Sequence, residues 1–164
     1  MSQRRALLIG VPYYQNEKQI KSFPEVVCAT GEDLQDALEG AGFSVQKLGM
    51  GRDEEEVLTK VRIRKEVRRF LSLAPTDSIL FVYFTGHGIQ HNGKTLLLPY
   101  DAEIENEEDF ADDFFDMDLS GDFYNSRANS LVVCADACRE KLEPKSSAVA
   151  SLRQMSPTAR RKLA

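Results

Sequence analysis

The sequence predicts an α/β fold in which a mostly parallel sheet carries helices on both faces. Three apolar runs, at 6–10, 79–84 and 131–135, are continuous rather than alternating, which is typical of strands buried on both faces. Segments with helical features separate these runs, and an alternation of strands and helices builds parallel sheets. The length of 164 residues is enough for one domain with its own hydrophobic core.

In the first half of the chain, the run 6–10 is the first strand and is predicted to be central in the sheet. A helix is predicted to begin at Gly31, because two acids follow in its first turn, and to end at Gly40. The alternation over 43–48 predicts a second strand. The segment 54–74 is predicted to be a helix, since five apolar residues share one face: Ile63, Val67, Phe70, Leu71 and Ala74.

The second half of the chain is predicted to add two main strands, a short extra strand and a helix. The run 79–84 gives the third main strand, and 96–98 gives a short strand that ends at a proline. The acidic stretch that follows is predicted to be a loop leading into a helix over 112–127. The run 131–135 gives the fourth main strand, and Cys134 is predicted to lie in the core because its neighbours are apolar.

The composition is that of an ordinary globular protein, which we expect to be cytoplasmic. Charged residues make up 29% of the chain and hydrophobic residues 42%. No apolar run approaches the roughly 20 residues of a membrane span, and the stretch 6–11 is too short for a secretory signal. The three cysteines and two histidines lack disulfide or zinc-ligand spacing. We therefore predict no metal site and no membrane partner.

The net charge of −5 conceals a segregation of charge along the chain. The segment 101–122 holds eleven acids and no base, whereas 60–69 and 141–164 each hold six bases and one acid. The plainer interpretation of the first two segments is solvated surface. Nucleic-acid binding is disfavoured, because the bases are not interleaved with aromatic residues and the whole chain is acidic.

Two residues with catalytic chemistry lie at the ends of buried runs. The segments 84–88 (FTGHG) and 135–139 (ADACR) place His87 and Cys138 where ligands bind in parallel sheets, outside the carboxyl ends of the strands. An imidazole can take the proton of a thiol and later protonate a leaving amine. Taken singly, such a cysteine is more often a small buried hydrophobe and such a histidine a packing residue. Their shared position and the flanking glycines favour a catalytic dyad.

Further positions extend this predicted site. The backbone N–H groups of Gly88 and Cys138 are candidates for stabilising an oxyanion. Asp136 lies two positions before the cysteine, hence on the same side of an extended strand, where a substrate arginine or lysine would supply its partner charge. The alternative, which the residues leave open, is an aspartate paired with Arg139 or with a backbone N–H. His91 is predicted to lie in an exposed loop.

Together these motifs resemble the caspase-like cysteine peptidases, which include metacaspases and paracaspases. An Ala-Cys-Arg sequence at 137–139, with a histidine about 50 residues upstream, resembles the caspase signature. Three further segments agree in order and spacing: 5–10, 33–45 and 97–102. The resemblance spans residues 5 to about 140. It implies a caspase-like three-layer sandwich, a dyad of His87 and Cys138, and protein or peptide substrates.

The residue at position 136 brings the resemblance nearest to the Arg/Lys-specific branch. Caspases that cleave after aspartate have glutamine there, whereas metacaspases and paracaspases have aspartate and cleave after arginine or lysine. Asp136 is therefore the implied substrate-binding residue. Two departures stand against this assignment. Thr30 takes the place of an aspartate early in the first helix, for which Asp33 is a candidate substitute, and Glu140 replaces a glycine.

Calcium activates some metacaspases, so the resemblance leaves calcium activation open. The segment 116–121 begins like an EF-hand loop, but Arg127 stands at the twelfth position, where such a loop has glutamate. The sequence thus gives no clear calcium site, and we predict no cofactor.

Relatives in this family continue with a small subunit of further strands, which we expect to be missing here. We divide the chain into a caspase-like large-subunit domain, 1–140, and a basic linker or truncated C-terminal segment, 141–164, whose basic residues fit a self-cleavable linker. A small-subunit partner or a second copy would complete the domain. The alternative is a catalytically inactive interaction module, or a fragment that needs a second chain. A nucleotide-binding domain is disfavoured, because no GxGxxG or P-loop follows the first strand.

Overall fold

The sheet is built from six strands, with four helices around it, in a computed structural model that describes residues 3–50 and 57–138 and gives the backbone alone for Glu107 and Cys138. In chain order the elements are β1 (Arg4–Gly10), α1 (Pro24–Gly40), β2 (Ser44–Leu48), α2 (Lys60–Ser72), β3 (Ile79–His91), β4 (Lys94–Leu97), a 3-10 turn (Glu107–Asp109), α3 (Phe110–Asp113), β5 (Phe115–Asp116), α4 (Ser120–Tyr124) and β6 (Ser130–Cys138).

Four parallel strands form the centre of the sheet, in the order β2-β1-β3-β6. The last four residues of β3 then pair antiparallel with β4, which pairs antiparallel with β5. Alternate residues of the central strands enter two separate cores. Leu7 and Val82 pack in one core with α2 and α4, whereas Leu8 and Tyr83 pack in the other with α1. The predicted fold class, a mostly parallel sheet with helices on both faces, is confirmed.

The first helix begins at Pro24, so the prediction that it begins at Gly31 is wrong. Proline suits the first turn of a helix, where its missing N–H costs no hydrogen bond. Gly31 lies in the buried face of the helix, and a Cβ there would come within 3.0 Å of the Met50 side chain. Gly31, where the helix was predicted to start, therefore marks a close approach of the helix to the chain beyond β2.

The third strand is longer than the predicted 79–84, because a hairpin extends it. Asn92 and Gly93 both have positive φ, 47° and 76°, as a two-residue hairpin turn requires. The segment 84–88 therefore lies inside β3 rather than after it. His91, predicted to lie in an exposed loop, is instead the last residue of β3 and is partly buried. The Asn-Gly pair was a hairpin signal that the sequence analysis overlooked.

The second helix is shorter than predicted, and the third predicted helix is replaced by shorter elements. Thr59 caps α2, since its Oγ1 accepts a hydrogen bond from the Arg62 N–H at 3.3 Å; residues 54–56 lie outside the described part of the chain. The predicted helix 112–127 gives way to α3, β5 and α4. Asp116 and Asp118 each accept the N–H two residues on, a turn that competes with helix formation.

The segregated charges of the chain meet on the surface. Arg68 Nε lies 3.3 Å from a carboxylate oxygen of Asp122, in a pair that is largely exposed. Lys60 Nζ donates hydrogen bonds to the carbonyl oxygens of Ala111 and Asp112. The basic helix and part of the acidic stretch thus partner each other, in line with the predicted solvated surface. Within the described residues, no helix has the length and apolar character that crossing a membrane requires.

Candidate active site

The register of β3 and β6 brings the two predicted catalytic positions side by side. His87 is the register partner of Cys138, and Thr85 is the register partner of Asp136. Neighbouring strands lie about 4.8 Å apart. Two positions that are 51 residues apart in the sequence are therefore adjacent where the parallel pairing of β3 and β6 ends.

The His87 side chain is held in an aromatic cage. Only 1% of this residue is exposed. Its ring centroid lies 5.0 Å from that of Tyr14 and 4.6 Å from that of Phe23, and the contact with Phe23 is edge to face. The backbone N–H of His87 also donates to the Tyr14 hydroxyl at 2.8 Å. Position and ring orientation are thus fixed by the segment between β1 and α1.

The two ring nitrogens of His87 have different environments. Nε2 lies 2.9 Å from the carbonyl oxygen of Lys21. Because a carbonyl can only accept, Nε2 carries the proton and donates it. Nδ1 is buried and has no hydrogen-bond partner among the described residues. In the neutral ring, Nδ1 is therefore the nitrogen with a free lone pair, as a proton acceptor needs. Lys21, which acts through its backbone carbonyl, is a site residue that the sequence did not predict.

Two glycines shape the backbone around the histidine. Gly86 has a φ of 147°, and a Cβ there would lie 3.1 Å from the Tyr14 hydroxyl oxygen and 3.2 Å from a Leu97 methyl. The Leu98 N–H donates to the His87 carbonyl at 2.9 Å, so the next pair along the antiparallel ladder is not hydrogen-bonded. The N–H of Gly88 consequently points away from β4. His87 pairs with Leu98, directly after β4, along one edge of β3 and with Cys138 of β6 along the other edge. The N–H of Gly88, which points away from β4, therefore points towards the β6 side.

Asp136 is exposed, and a tyrosine holds its carboxylate. The Tyr83 hydroxyl donates to Asp136 Oδ2 at 3.3 Å. Burial, and secondly the Asp136 charge, raise the pKa of Tyr83, so that its hydroxyl stays a donor at neutral pH. The alternative partner of Asp136, Arg139, lies outside the described residues. The signal for Tyr83 was the two-residue period of a strand, which puts it on one face with Thr85 and His87.

Another cysteine on the same strand has a less reactive environment. Cys134 is partly buried, and burial raises the pKa of its thiol. A raised pKa lowers the thiolate fraction, and the thiolate is the nucleophile. Cys134 is thus a packing residue, although it lies nearer the surface than the predicted core position.

The segment that begins like an EF-hand loop is committed to other contacts. The Oδ1 atoms of Asp116 and Asp118 accept backbone N–H groups, and Asp116 Oδ2 lies 3.0 Å from Lys94 Nζ. In the described parts of the chain, no group of three or more histidine, cysteine, aspartate or glutamate side chains is arranged to hold a metal ion. Near α1, Thr30 is partly buried and Asp33 is exposed.

Comparison with known proteins connects this geometry to a family. The model of the caspase domain family matches residues 3–162, which include every strand of the sheet and both segments of the site. A search of curated proteins finds no match.

Proposed function

Since the chain belongs to the caspase domain family of cysteine peptidases, we propose that it is a cysteine endopeptidase whose dyad is Cys138 and His87. The observation that carries this proposal is the buried Nδ1 of His87, which has no hydrogen-bond partner among the described residues and belongs to the residue that lies opposite Cys138 in the sheet register. A buried nitrogen without a hydrogen-bond partner lowers stability, so its presence in a folded protein calls for an explanation. Acceptance of the proton of a thiol is such an explanation.

In the proposed mechanism, the Cys138 sulfur attacks the scissile carbonyl carbon. The thiol proton passes to Nδ1 of His87, whose ring is held by the hydrogen bond from Nε2 to the Lys21 carbonyl. The N–H groups of Gly88 and Cys138 stabilise the oxyanion that forms. His87 then gives the proton to the leaving amine, which departs and leaves a thioester. A water molecule attacks the thioester, passes its proton to His87, and releases the carboxylic acid and the thiol.

The proposed substrates are proteins or peptides with arginine or lysine at the cleavage site. Asp136 supports this choice, because it is exposed and belongs to the same sheet face, by register, as His87 and Cys138. A carboxylate in that place attracts a guanidinium or an ammonium group of a substrate. Arg139 and the basic segment 141–164 lie outside the described residues, so the proposal of a self-cleavable linker rests on the sequence alone.

Asp136→Asn is expected to lower kcat/KM for an Arg-ended reporter by about 30-fold, because the substrate cation loses its charged partner. Cleavage is measured by fluorescence of the released group. Asp36→Asn is a matched control, since Asp36 is an exposed aspartate on α1, and it should leave kcat/KM unchanged. Equal losses in the two variants would contradict the role of Asp136.

The function itself is tested by labelling. The full chain is incubated with Arg-, Lys- and Asp-ended reporters and with a peptidyl ketone electrophile ending in arginine, and the labelled residue is identified by mass spectrometry. We expect cleavage of the basic reporters and a label on Cys138. Labelling of Cys134 should be slow because the pKa of that thiol is raised. A label on another residue, or preference for the Asp-ended reporter, would contradict the proposal.

A second candidate function is that of an interaction module with the same fold. It is favoured by a groove of about 490 Å³ beside β6, lined on that strand by Leu131, Val133 and Ala135. Within the described residues β6 pairs only with β3, and a free strand edge can pair with another chain. This candidate predicts no labelling of Cys138 by the electrophile, together with concentration-dependent assembly in sedimentation experiments.

A further inference from the structure

We propose that Tyr83 is a positioning residue that orients the Asp136 carboxylate and thereby favours arginine over lysine at the cleavage site. This inference rests on the proposed function, because it assumes that Asp136 receives the basic side chain of the substrate. It concerns a residue that is buried in the sheet, four positions before the histidine, and that the proposed mechanism does not use.

The contact between the two side chains is diagonal across two strands. In the register, Tyr83 lies opposite Cys134, whereas Asp136 lies opposite Thr85. The tyrosine ring therefore extends from β3 towards the carboxyl end of β6, where its hydroxyl oxygen lies 3.3 Å from Asp136 Oδ2. A phenolic ring has few rotatable bonds, so a hydroxyl at its tip is a stiff support for a mobile carboxylate.

The environments of the two partners differ in a way that suits this role. Only 9% of Tyr83 is exposed, whereas Asp136 is exposed to solvent. Burial and the neighbouring carboxylate raise the pKa of Tyr83, so that the hydroxyl remains a neutral donor over the working pH range. Among the described residues, Tyr83 is the only hydrogen-bond partner of the Asp136 side chain. Oδ1 and the second lone pair of Oδ2 are consequently left for the substrate.

A fixed carboxylate plane matters more to arginine than to lysine. The guanidinium group is planar and binds a carboxylate through two parallel hydrogen bonds, which need the two planes to be aligned. The lysine ammonium is a compact charge with rotating donors, and it binds a carboxylate of any orientation about equally well. Loss of the Tyr83 hydroxyl should therefore weaken arginine selectively, while the charge of Asp136 persists.

The test compares Tyr83→Phe, Asp136→Asn and the double variant with the unmodified chain on Arg- and Lys-ended reporters. We expect Tyr83→Phe to lower kcat/KM about tenfold for the Arg reporter and about twofold for the Lys reporter, mainly through KM. In the Asp136→Asn background, Tyr83→Phe should have no further effect, since the hydroxyl acts through the carboxylate. Tyr124→Phe is the matched control, because Tyr124 is 80% exposed on α4, and it should leave both reporters unchanged.

The outcomes separate this inference from the proposed function. If the unmodified chain has no preference for basic reporters, the proposed specificity fails and this inference fails with it. If that preference exists but Tyr83→Phe lowers both reporters equally, or still lowers them when Asp136 is asparagine, this inference alone fails. Asp136→Glu is a second variant that leaves the buried tyrosine in place. It moves the carboxylate beyond the hydroxyl and should reduce the Arg/Lys ratio, and an unchanged ratio would overturn the inference.

Discussion

Cys138→Ala is expected to lower cleavage of Arg-ended reporters by on the order of 10⁴-fold or more, because no other atom at that position can form the thioester. His87 would still hold its place, since Tyr14, Phe23 and the Lys21 carbonyl fix its ring independently of the cysteine. The variant should therefore remain folded. Reporter cleavage and circular dichroism measure the two properties separately.

Cys134→Ala is the matched control for that experiment. Cys134 lies on the same strand, four residues earlier, and partial burial raises the pKa of its thiol. Its replacement should retain activity and cost only a small amount of stability, as expected for removal of a partly buried sulfur. Activity that survives in Cys138→Ala, or that disappears in Cys134→Ala while the fold is retained, would contradict the assignment of the nucleophile.

The adjacency of positions 87 and 138 could be predicted because parallel strands leave little freedom. Both residues close apolar runs, and the carboxyl ends of neighbouring parallel strands meet at one edge of the sheet. The apolar run 79–84 did not predict the true end of the third strand, which is His91. Residues 88–91 pair with β4 in an antiparallel ladder, so that the strand continues beyond the histidine. An Asn-Gly turn, and not hydrophobicity, decides where it ends.

The support of the histidine could not be predicted from residue types. Lys21 contributes a backbone carbonyl, which every residue possesses, and it does so from the irregular segment between β1 and α1. Only the folded path of that segment gives the atom its role. Tyr83 is a different case. The two-residue alternation of β3 in the sequence predicts the face on which Tyr83 lies, but its diagonal contact with Asp136 depends on the register of β6, which the sequence does not give.

The start of the first helix was misplaced because Glu32 and Asp33 were assigned to its first turn, where acids are favoured. Glycine lowers helix stability and often lies near helix ends, yet Gly31 is interior and packs against Met50. The same region holds a second close approach, between the ends of β1 and β2, where Gly10 and Gly49 meet. Gly10 ends β1 and so directly precedes the segment between β1 and α1, which carries Lys21.

Gly49→Ala is expected to destabilise the protein by about 3 kcal/mol, which combines a left-handed backbone with overpacking. Gly49 has a φ of 66°, which a side chain rarely adopts. A Cβ there would collide with the carbonyl oxygen of Gly10 and lie 2.6 Å from a methyl carbon of Leu58, which is 1% exposed. Because the colliding oxygen of Gly10 belongs to the backbone at the end of β1, the strain cannot be relieved by rotating a side chain. Thermal unfolding should show a Tm lowered by about 6 to 12 °C.

Gly40→Ala is the matched control, and the expected change has the opposite sign. Gly40 is the last residue of α1, and a Cβ there would meet nothing within 4 Å. Alanine should stabilise the helix by up to about 1 kcal/mol. If Gly49→Ala unfolds at the same temperature as the unmodified chain, that result would contradict the close approach between Gly10 and Gly49. If Gly49→Ala remains folded at 25 °C, reduced cleavage with an unchanged circular dichroism spectrum would indicate that the strain reaches His87. The route is short, because β1 leads directly into the segment whose Lys21 carbonyl accepts the hydrogen bond from His87 Nε2.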